Sequence, residues 1–310
     1  MKINKPIFWD KKVSFLSLLL FPLSLIISVL IFLKRRLSRV SKFNIPIICV
    51  GNIYIGGTGK TPLSIYIANE LNKIGKNVVI LRKLYEEHVD EHDLIRSYHT
   101  NLILSKNRVA SLRKIEKSNF DTVIMDDGLQ EYKIKKNISI ACFNSNQLIG
   151  NGLVIPSGPL RENLNSLKNI NIVVINGNKN KSFEEKILKI NNKLKIFYSS
   201  YKPINLGDFK NKRLLAIAGI GNPENFFSLI EQNNLNVQKK IIYPDHYKFS
   251  KKEFKNIINE ADKKDYEIIM TEKDFYKIKK YNFNEVNFLK VKLEIDDKEN
   301  FSKLLKNLYV

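Results

Sequence analysis

The passage over residues 47–74 constrains this chain more than any other. A short apolar run, Ile47-Ile48-Cys49-Val50, suits a buried strand, Gly56-Gly57-Thr58-Gly59-Lys60-Thr61 follows, and a helical pattern continues from Pro62 to about Ile74. Strand, glycine loop, Lys-Thr, helix is the order that phosphate binding requires. Glycines let the backbone wrap so that several N–H groups point inward at phosphate oxygens, and the helix start adds free donors and the positive end of a dipole. Lys60 is then placed to reach the β- and γ-phosphates of a nucleotide, and Thr61 to ligate Mg²⁺. The usual spacing puts glycine at position 54, where this chain has Tyr54. Pro62 sits in a first helical turn, where its missing N–H has no partner to lose.

A phosphate loop of this kind needs a carboxylate at a strand end to organise a metal. Residues 120–128 supply one: a mostly apolar run leads into Asp126-Asp127-Gly128, the way a strand enters a site at a sheet's carboxyl edge. Further apolar runs at 78–81, 102–104, 138–143 and 172–175 alternate with helical stretches. That alternation predicts an α/β fold, a P-loop NTPase-like, mostly parallel sheet flanked by helices. After about Tyr201 the pattern restarts, with apolar runs at 214–218 and 268–270. The expected division is an N-terminal apolar helix and basic linker over 1–43, a P-loop core over 44–204, and a smaller C-terminal α/β domain over 205–310.

Residues 13–33 carry no charge at all. As a helix, 21 residues span about 30 Å, the hydrocarbon thickness of a bilayer. Lys11 and Lys12 precede the run, while Lys34, Arg35, Arg36, Arg39 and Lys42 follow it. The denser basic flank on the C-terminal side places the rest of the chain in the cytoplasm, and no small-residue cleavage site marks a removable signal peptide. Ser14, Ser17, Ser24 and Ser28 fall within one narrow arc at about 100° per residue. Two membrane pictures follow, a spanning helix or one lying in the interface, and the serine face also suits packing on another helix. A buried core helix would need complete cover for its whole length.

Lys and Arg number 52 against 31 Asp and Glu, a net charge of +21. Such a surface seeks anions, whether nucleic acid, acidic lipid or a phosphorylated substrate, and charge alone selects none of them. No aromatic and basic stacking motif supports nucleic acid. Cys49 and Cys142 both lie inside apolar runs and read as core residues, not as a metal site or a disulfide.

Several segments together resemble one family, the tetraacyldisaccharide 4′-kinases (lipid A 4′-kinases) of Gram-negative bacteria. They are Val50-Gly51-Asn52 with Gly56 to Leu63, Asp126-Asp127-Gly128-Leu129-Gln130, Gly150-Asn151-Gly152, and Pro156-Ser157-Gly158-Pro159-Leu160-Arg161-Glu162. Then come Ala218-Gly219-Ile220-Gly221-Asn222-Pro223, Pro244-Asp245-His246 and Thr271-Glu272-Lys273-Asp274. The resemblance implies ATP-dependent, Mg²⁺-assisted transfer of the γ-phosphate to the 4′-hydroxyl of lipid A disaccharide 1-phosphate, giving lipid IVA. It implies work at the cytoplasmic face of the inner membrane, against an anionic surface, with no nucleic acid and no obligate protein partner. By the same resemblance Gly56, Gly57, Thr58, Gly59, Lys60 and Thr61 bind the nucleotide, with Arg161 and Glu162 near it or near the transferred phosphoryl group. Asp126 looks like the metal-side acid and Asp127 like its active-site neighbour. Asp90, of the dipeptide Asp90-Glu91, matches a base that pairs with the histidine at His246.

Two departures from the family pattern stand out. Arg82-Lys83-Leu84-Tyr85-Glu86-Glu87 lacks the glycines of an Arg-Gly-Tyr-Gly sequence, and His92 stands where a proline follows Asp-Glu, so a loop of different shape is expected. A regulatory ATPase switch would want a second lysine just before the glycines, where Tyr54 and Ile55 stand, and has no use for the Pro-Ser-Gly-Pro-Leu-Arg-Glu stretch. A membrane scaffold would not need the glycine loop and the strand-end aspartates together.

Overall fold

The uncharged N-terminal run forms helix α1 (Phe15–Leu37) in the computed structural model, which describes residues 6–10, 14–85, 88–99, 101–245 and 247–309. Lys11, Lys12, Val13, Glu86, Glu87 and His246, which carry part of the sequence reading, lie outside the described residues. Ser14 caps α1, its hydroxyl accepting from the Ser17 N–H at 3.3 Å. The serine arc is the face that α1 turns to the protein. Ser17 and Ser24 are its buried residues, while Phe15, Leu18, Leu19, Leu23, Leu30 and Phe32 are exposed. Ser24 Oγ donates to the Val154 carbonyl at 2.8 Å, accepts from the Ser157 N–H at 3.0 Å, and lies 2.8 Å from Ser157 Oγ. The arc therefore packs on a loop, not on a second helix. The loop offers Ser24 a carbonyl, an N–H and a hydroxyl at once, while Ser28 Oγ donates back to the Ser24 carbonyl within α1 at 2.7 Å.

The following elements are β1 (Ile47–Gly51), α2 (Lys60–Asn72), β2 (Val78–Lys83), α3 (Val89–Tyr98), β3 (Leu102–Ser105) and α4 (Arg108–Ile115). Next come β4 (Thr122–Asp126), β5 (Ile138–Asn144), β6 (Ile172–Asn176), α5 (Lys181–Leu188) and β7 (Lys195–Pro203). The chain continues through β8 (Leu214–Ala218), α6 (Pro223–Gln232), β9 (Val237–Ile242), α7 (Lys251–Lys263) and β10 (Glu267–Thr271). It ends with α8 (Glu272–Ile278), β11 (Val286–Leu289), β12 (Val291–Ile295) and α9 (Lys298–Lys306).

Among the described residues these strands form two sheets, one of eight strands ordered β12-β7-β6-β5-β1-β4-β2-β3 and one of four ordered β11-β10-β8-β9. From β3 across to β7 each neighbouring pair is parallel, and so is each pair of the smaller sheet. Parallel sheets carry helices on both faces, which explains why β1, β4, β5, β6 and β8 are buried at every position and read as unbroken apolar runs. The larger core gathers Ile47, Cys49, Val79, Leu81, Met125 and Phe143. In the smaller sheet the strand period of two sends Leu215 and Ile217 to one core and Ala216 and Ala218 to the other.

Two compact units result. The first comprises Met1–Leu84, Asn101–Ser200 and Ile295–Val310, and the second Tyr85–Thr100 and Tyr201–Glu294. This differs from a single division after residue 204 in two places. Helix α3 packs on α8 and so joins the second unit. Strand β12 returns to the larger sheet beside β7, and α9 then seats Phe301 edge-on to Phe197, ring centroids 5.1 Å apart. Both excursions depend on contacts remote in sequence, which no local periodicity records.

Candidate active site

In the first unit β1 lies between β5 and β4, so connections on its two sides diverge and leave a crevice at the carboxyl edge. The glycine loop leaves β1 there. Gly56 has φ 123° and Gly59, the N-cap of α2, has φ 87°, conformations that side-chain-bearing residues rarely adopt. Asn52 Nδ2 donates to the Gly56 carbonyl at 3.1 Å, and Gln130 Nε2 donates to the Asn52 carbonyl at 3.2 Å, which fixes the entry to the loop. The Pro-Ser-Gly-Pro-Leu-Arg-Glu segment runs alongside. Ile55 N–H donates to the Pro159 carbonyl at 2.9 Å, Arg161 N–H to the Ile53 carbonyl at 2.6 Å, and Tyr54 bridges Leu160. Position 54 is thus paired backbone with a buried side chain, whose hydroxyl donates to Asp10 Oδ1 at 3.4 Å. Glycine is not required there.

Asp126 closes β4, with Val50 on one neighbouring strand and Arg82 on the other as its register partners. It is fully buried, and three side chains meet its carboxylate. Thr61 Oγ1 donates to Oδ2 at 3.2 Å, Ser64 Oγ to Oδ1 at 3.0 Å, and the Arg82 guanidinium forms an ion pair with Oδ2. Arg82 also donates to Thr61 Oγ1 at 3.1 Å. Asp127 has φ 53°, an uncommon left-handed conformation that turns its carboxylate to other partners. Arg161 Nη1 donates to Asp127 Oδ1 at 2.9 Å, and Lys60 Nζ lies 3.9 Å from Oδ2. Arg108 Nη2 donates to both aspartate carbonyls, at 2.7 and 3.0 Å.

Four cations surround two carboxylates, and their titration follows. Burial by itself would raise the Asp127 pKa, but Lys60, Arg161, Arg82 and Arg108 hold it below its ordinary value. Burial also lowers the Lys60 pKa, opposed by Asp127 and reinforced by Arg161. An excess of buried positive charge is the state of a site that takes an anion.

The structure brings together five of the residues singled out from sequence: Lys60, Thr61, Asp126, Asp127 and Arg161. Glu162 is not among them. It accepts from Gln130 Nε2 at 2.7 Å and braces the Asn52 side of the loop. Ser64, Arg108 and the function of Arg82 were not read from sequence. Ser64 had a signal, since it follows Lys60 and Thr61 by one helical turn and shares their face. Arg82 had a weaker one as the polar end of an apolar strand, and Arg108 had none.

The second unit holds the remaining residues. Asp90, 4% exposed, and Glu91 open the first turn of α3, with His92 buried behind them, so a helical turn occupies the place of the expected proline. Lys273 Nζ lies 2.9 Å from Glu91 Oε1, 3.2 Å from Asp245 Oδ1 and 3.8 Å from Asp90 Oδ2. Around the same sheet edge Gly219 N–H donates to Asp274 Oδ2 at 2.8 Å, and Lys277 Nζ donates to the Gly219 carbonyl at 2.7 Å and to Asp274 Oδ1 at 2.6 Å. The 218–223 and 271–274 motifs are thereby tied to each other. His246, the expected partner of Asp90, lies outside the described residues.

A glycine phosphate loop at the switch point of a parallel sheet, with a Thr–Asp pair behind it and cations in front, defines a P-loop phosphotransferase. Residues 16–309 match the family described as tetraacyldisaccharide-1-P 4′-kinase. The chain belongs to that family and is a kinase. A tetraacyldisaccharide 4′-kinase from Pelagibacter ubique is 42% identical over 99% of this chain and 98% of its own length. One from Wigglesworthia glossinidia brevipalpis is 33% identical over 87% of this chain and 79% of its own. The crystal structure of LpxK from Aquifex aeolicus, in complex with ATP, matches with a TM-score of 0.74 at 22% identity, covering 95% of this chain and 100% of that one. At that identity it establishes the shared fold.

Proposed function

We propose that this chain transfers the γ-phosphate of ATP to the 4′-hydroxyl of lipid A disaccharide 1-phosphate, producing lipid IVA at the cytoplasmic face of the inner membrane. Membership of the family supports the reaction. The observation that carries the site is the partition of the two aspartates, Asp126 to Thr61 and Asp127 to Lys60 and Arg161.

In this reading the loop amides and Lys60 cradle the β- and γ-phosphates, and Arg161 neutralises charge on the group in transfer. Phosphoryl transfer needs positioning and charge neutralisation above all, and these groups supply both without reorganising. Thr61 Oγ1 and Asp126 Oδ2 are hard oxygen donors 3.2 Å apart at the start of α2, a set that fits Mg²⁺. Thr61 and Asp126 would hold the ion, and Mg²⁺ when bound supplies positive charge to the phosphate oxygens. Arg82 shares the Asp126 carboxylate and holds it in place. Asp90 accepts the 4′-hydroxyl proton and His246 orients it.

The membrane reading rests on α1. Its serines are engaged by the 151–157 loop, which leaves a long apolar face without protein cover. A helix held along one face by its own protein lies in the interface, its other face among acyl chains. Lys34, Arg35 and Arg36 close the helix and meet anionic headgroups, at about 1 kcal/mol each near the surface.

The deciding experiment is transfer of labelled γ-phosphate from ATP to purified lipid A disaccharide 1-phosphate, in detergent with Mg²⁺. A labelled bisphosphorylated lipid with wild type, absent with a folded Lys60→Ala variant, is the expected result. ATP hydrolysis without lipid labelling would replace this reading with a nucleotide-dependent switch.

A further inference from the structure

We propose that Lys273 is the positioning residue of the acceptor-side base. Its ammonium pairs with Glu91 and Asp245 and lies 3.8 Å from Asp90 Oδ2, and so places positive charge beside the carboxylate that takes the 4′-hydroxyl proton. The inference rests on the reading of Asp90 as that base. In the step concerned the hydroxyl O–H bond breaks and its proton passes to the Asp90 carboxylate. The oxygen forms a bond to the γ-phosphorus as the bond from that phosphorus to the β–γ bridging oxygen breaks, and ADP leaves.

Three carboxylates from two separate segments converge here, Asp90 and Glu91 buried and Asp245 partly exposed, and buried carboxylates cost a great deal unless a cation joins them. Lys273 is that cation, with Nζ within 4 Å of all three. The positive end of α3 favours Asp90 and Glu91 in its first turn, but Asp245 lies on the β9–α7 connection and gains nothing from it. A compact ammonium with three donors on a flexible stem suits partners arriving from different directions, where a planar guanidinium favours a single bidentate one.

The origin of Lys273 is also fixed. Thr271 caps α8, accepting from the Asp274 N–H at 3.1 Å, and one turn beyond Lys273 the Lys277 ammonium is tied to Gly219 and Asp274. Helix α8 thus presents two lysines to different connections of the same sheet edge. Lys277 serves the connection after β8, and Lys273 serves the carboxylates. This gives the Thr-Glu-Lys-Asp motif a function that the nucleotide chemistry leaves unassigned.

Among the described residues, other titratable groups on these elements include Glu91, His88 and His92 on α3, Glu272, Asp274 and Lys277 on α8, and Asp245. His88 Nδ1 lies 3.6 Å from Glu91 Oε2. Glu272 accepts from Tyr98 at 2.8 Å, and burial raises its pKa. Lys273 is the cation bridging Asp90, Glu91 and Asp245 among the described residues.

The test uses the full chain in detergent with Mg²⁺, ATP and lipid acceptor, comparing Lys273→Met, Lys273→Arg, Asp245→Asn and Asp90→Asn. Asp90→Asn should lose about 100-fold or more in kcat, the range of a general base. Lys273→Met should lose about tenfold or more in kcat with the KM for ATP unchanged, the pattern of a lost transition-state contribution. The acid limb of its kcat–pH profile should move to higher pH, because carboxylates without their cation hold protons more tightly. Lys273→Arg should recover most of the rate. Asp245→Asn should move the limb the opposite way, because one competing negative charge is gone.

A wild-type kcat and pH profile in Lys273→Met, beside an inactive Asp90→Asn, would overturn the inference alone. A raised KM for ATP in Lys273→Met would overturn it too, by moving the residue to the nucleotide side. Should Lys273→Met not fold, an unmoved acid limb in Asp245→Asn would overturn it. Full activity in Asp90→Asn would remove the base itself, a separate failure.

Discussion

The two units treat carboxylates in opposite ways. In the first, two aspartates sit among Lys60, Arg82, Arg108 and Arg161, so the cluster keeps an excess of positive charge. In the second, Asp90, Glu91 and Asp245 lie around one described lysine, Lys273. A triphosphate needs the first environment, because its charge grows more concentrated at the bridging oxygen during transfer. Under the proposed reaction the sugar hydroxyl meets the second, where a carboxylate can take its proton.

The comparison breaks most readily at Arg82. Arg82→Met strands the fully buried Asp126 carboxylate and should cost about 3–5 kcal/mol of stability, measured by urea unfolding. Adding Asp126→Asn should recover a large part of that loss, since two neutral groups replace an orphaned charge. A second variant with no recovery would mean that Arg82 acts through packing and not through charge.

Arg161→Ala sharpens the cationic side. Loss of a preorganised donor to a developing charge should lower kcat by about 100- to 1,000-fold, with the fold intact by circular dichroism. If the lipid KM rose and kcat held, Arg161 would belong to acceptor binding.

Ser24→Ala tests whether α1 is seated independently of the nucleotide loop. The substitution leaves the buried Ser157 N–H without its acceptor, at a cost of about 1–3 kcal/mol. The Ser157 segment continues to Pro159 and Arg161, which pair with residues 53–55, so the KM for ATP should rise several-fold while vesicle binding persists. An unchanged KM would separate the two functions.

The smallest effect concerns pH. Asp127 has its folded pKa below its unfolded value, so its pairing stabilises the protein fully above the ordinary carboxylate range and is lost as pH falls through the depressed value. The urea midpoint of wild type relative to Asp127→Asn should therefore decline below about pH 4. A constant difference would show that Asp127 is not held ionised by its cations.

Much of this was legible before any coordinates. Lys60 and Thr61 stand where the loop demands, because strand, glycines and helix start are consecutive and each obeys a local rule. The serine arc of α1 was visible from spacing and suited packing on another helix, but its partner proved to be the 151–157 loop. Asp126 and Asp127 were recognisable as a strand-end pair but indistinguishable. Their separation comes from the left-handed turn at Asp127, which sends one carboxylate toward α2 and the other toward Arg161. Glu162, singled out with Arg161 by the same motif, meets Gln130, whose amide also reaches the Asn52 carbonyl.

By itself the sequence determined the parallel α/β class, the phosphate loop, the apolar helix and the family, all of which rest on short-range order: period, glycine placement, contiguous motif. Only the tertiary structure decided which cation meets which carboxylate. Arg82 reaches Asp126 because β2 and β4 are neighbours, and Lys273 reaches Asp90 because α3 leaves the first unit to pack on α8. Charges act through space, and in a fold of long crossovers the nearest charge in space is seldom the nearest along the chain.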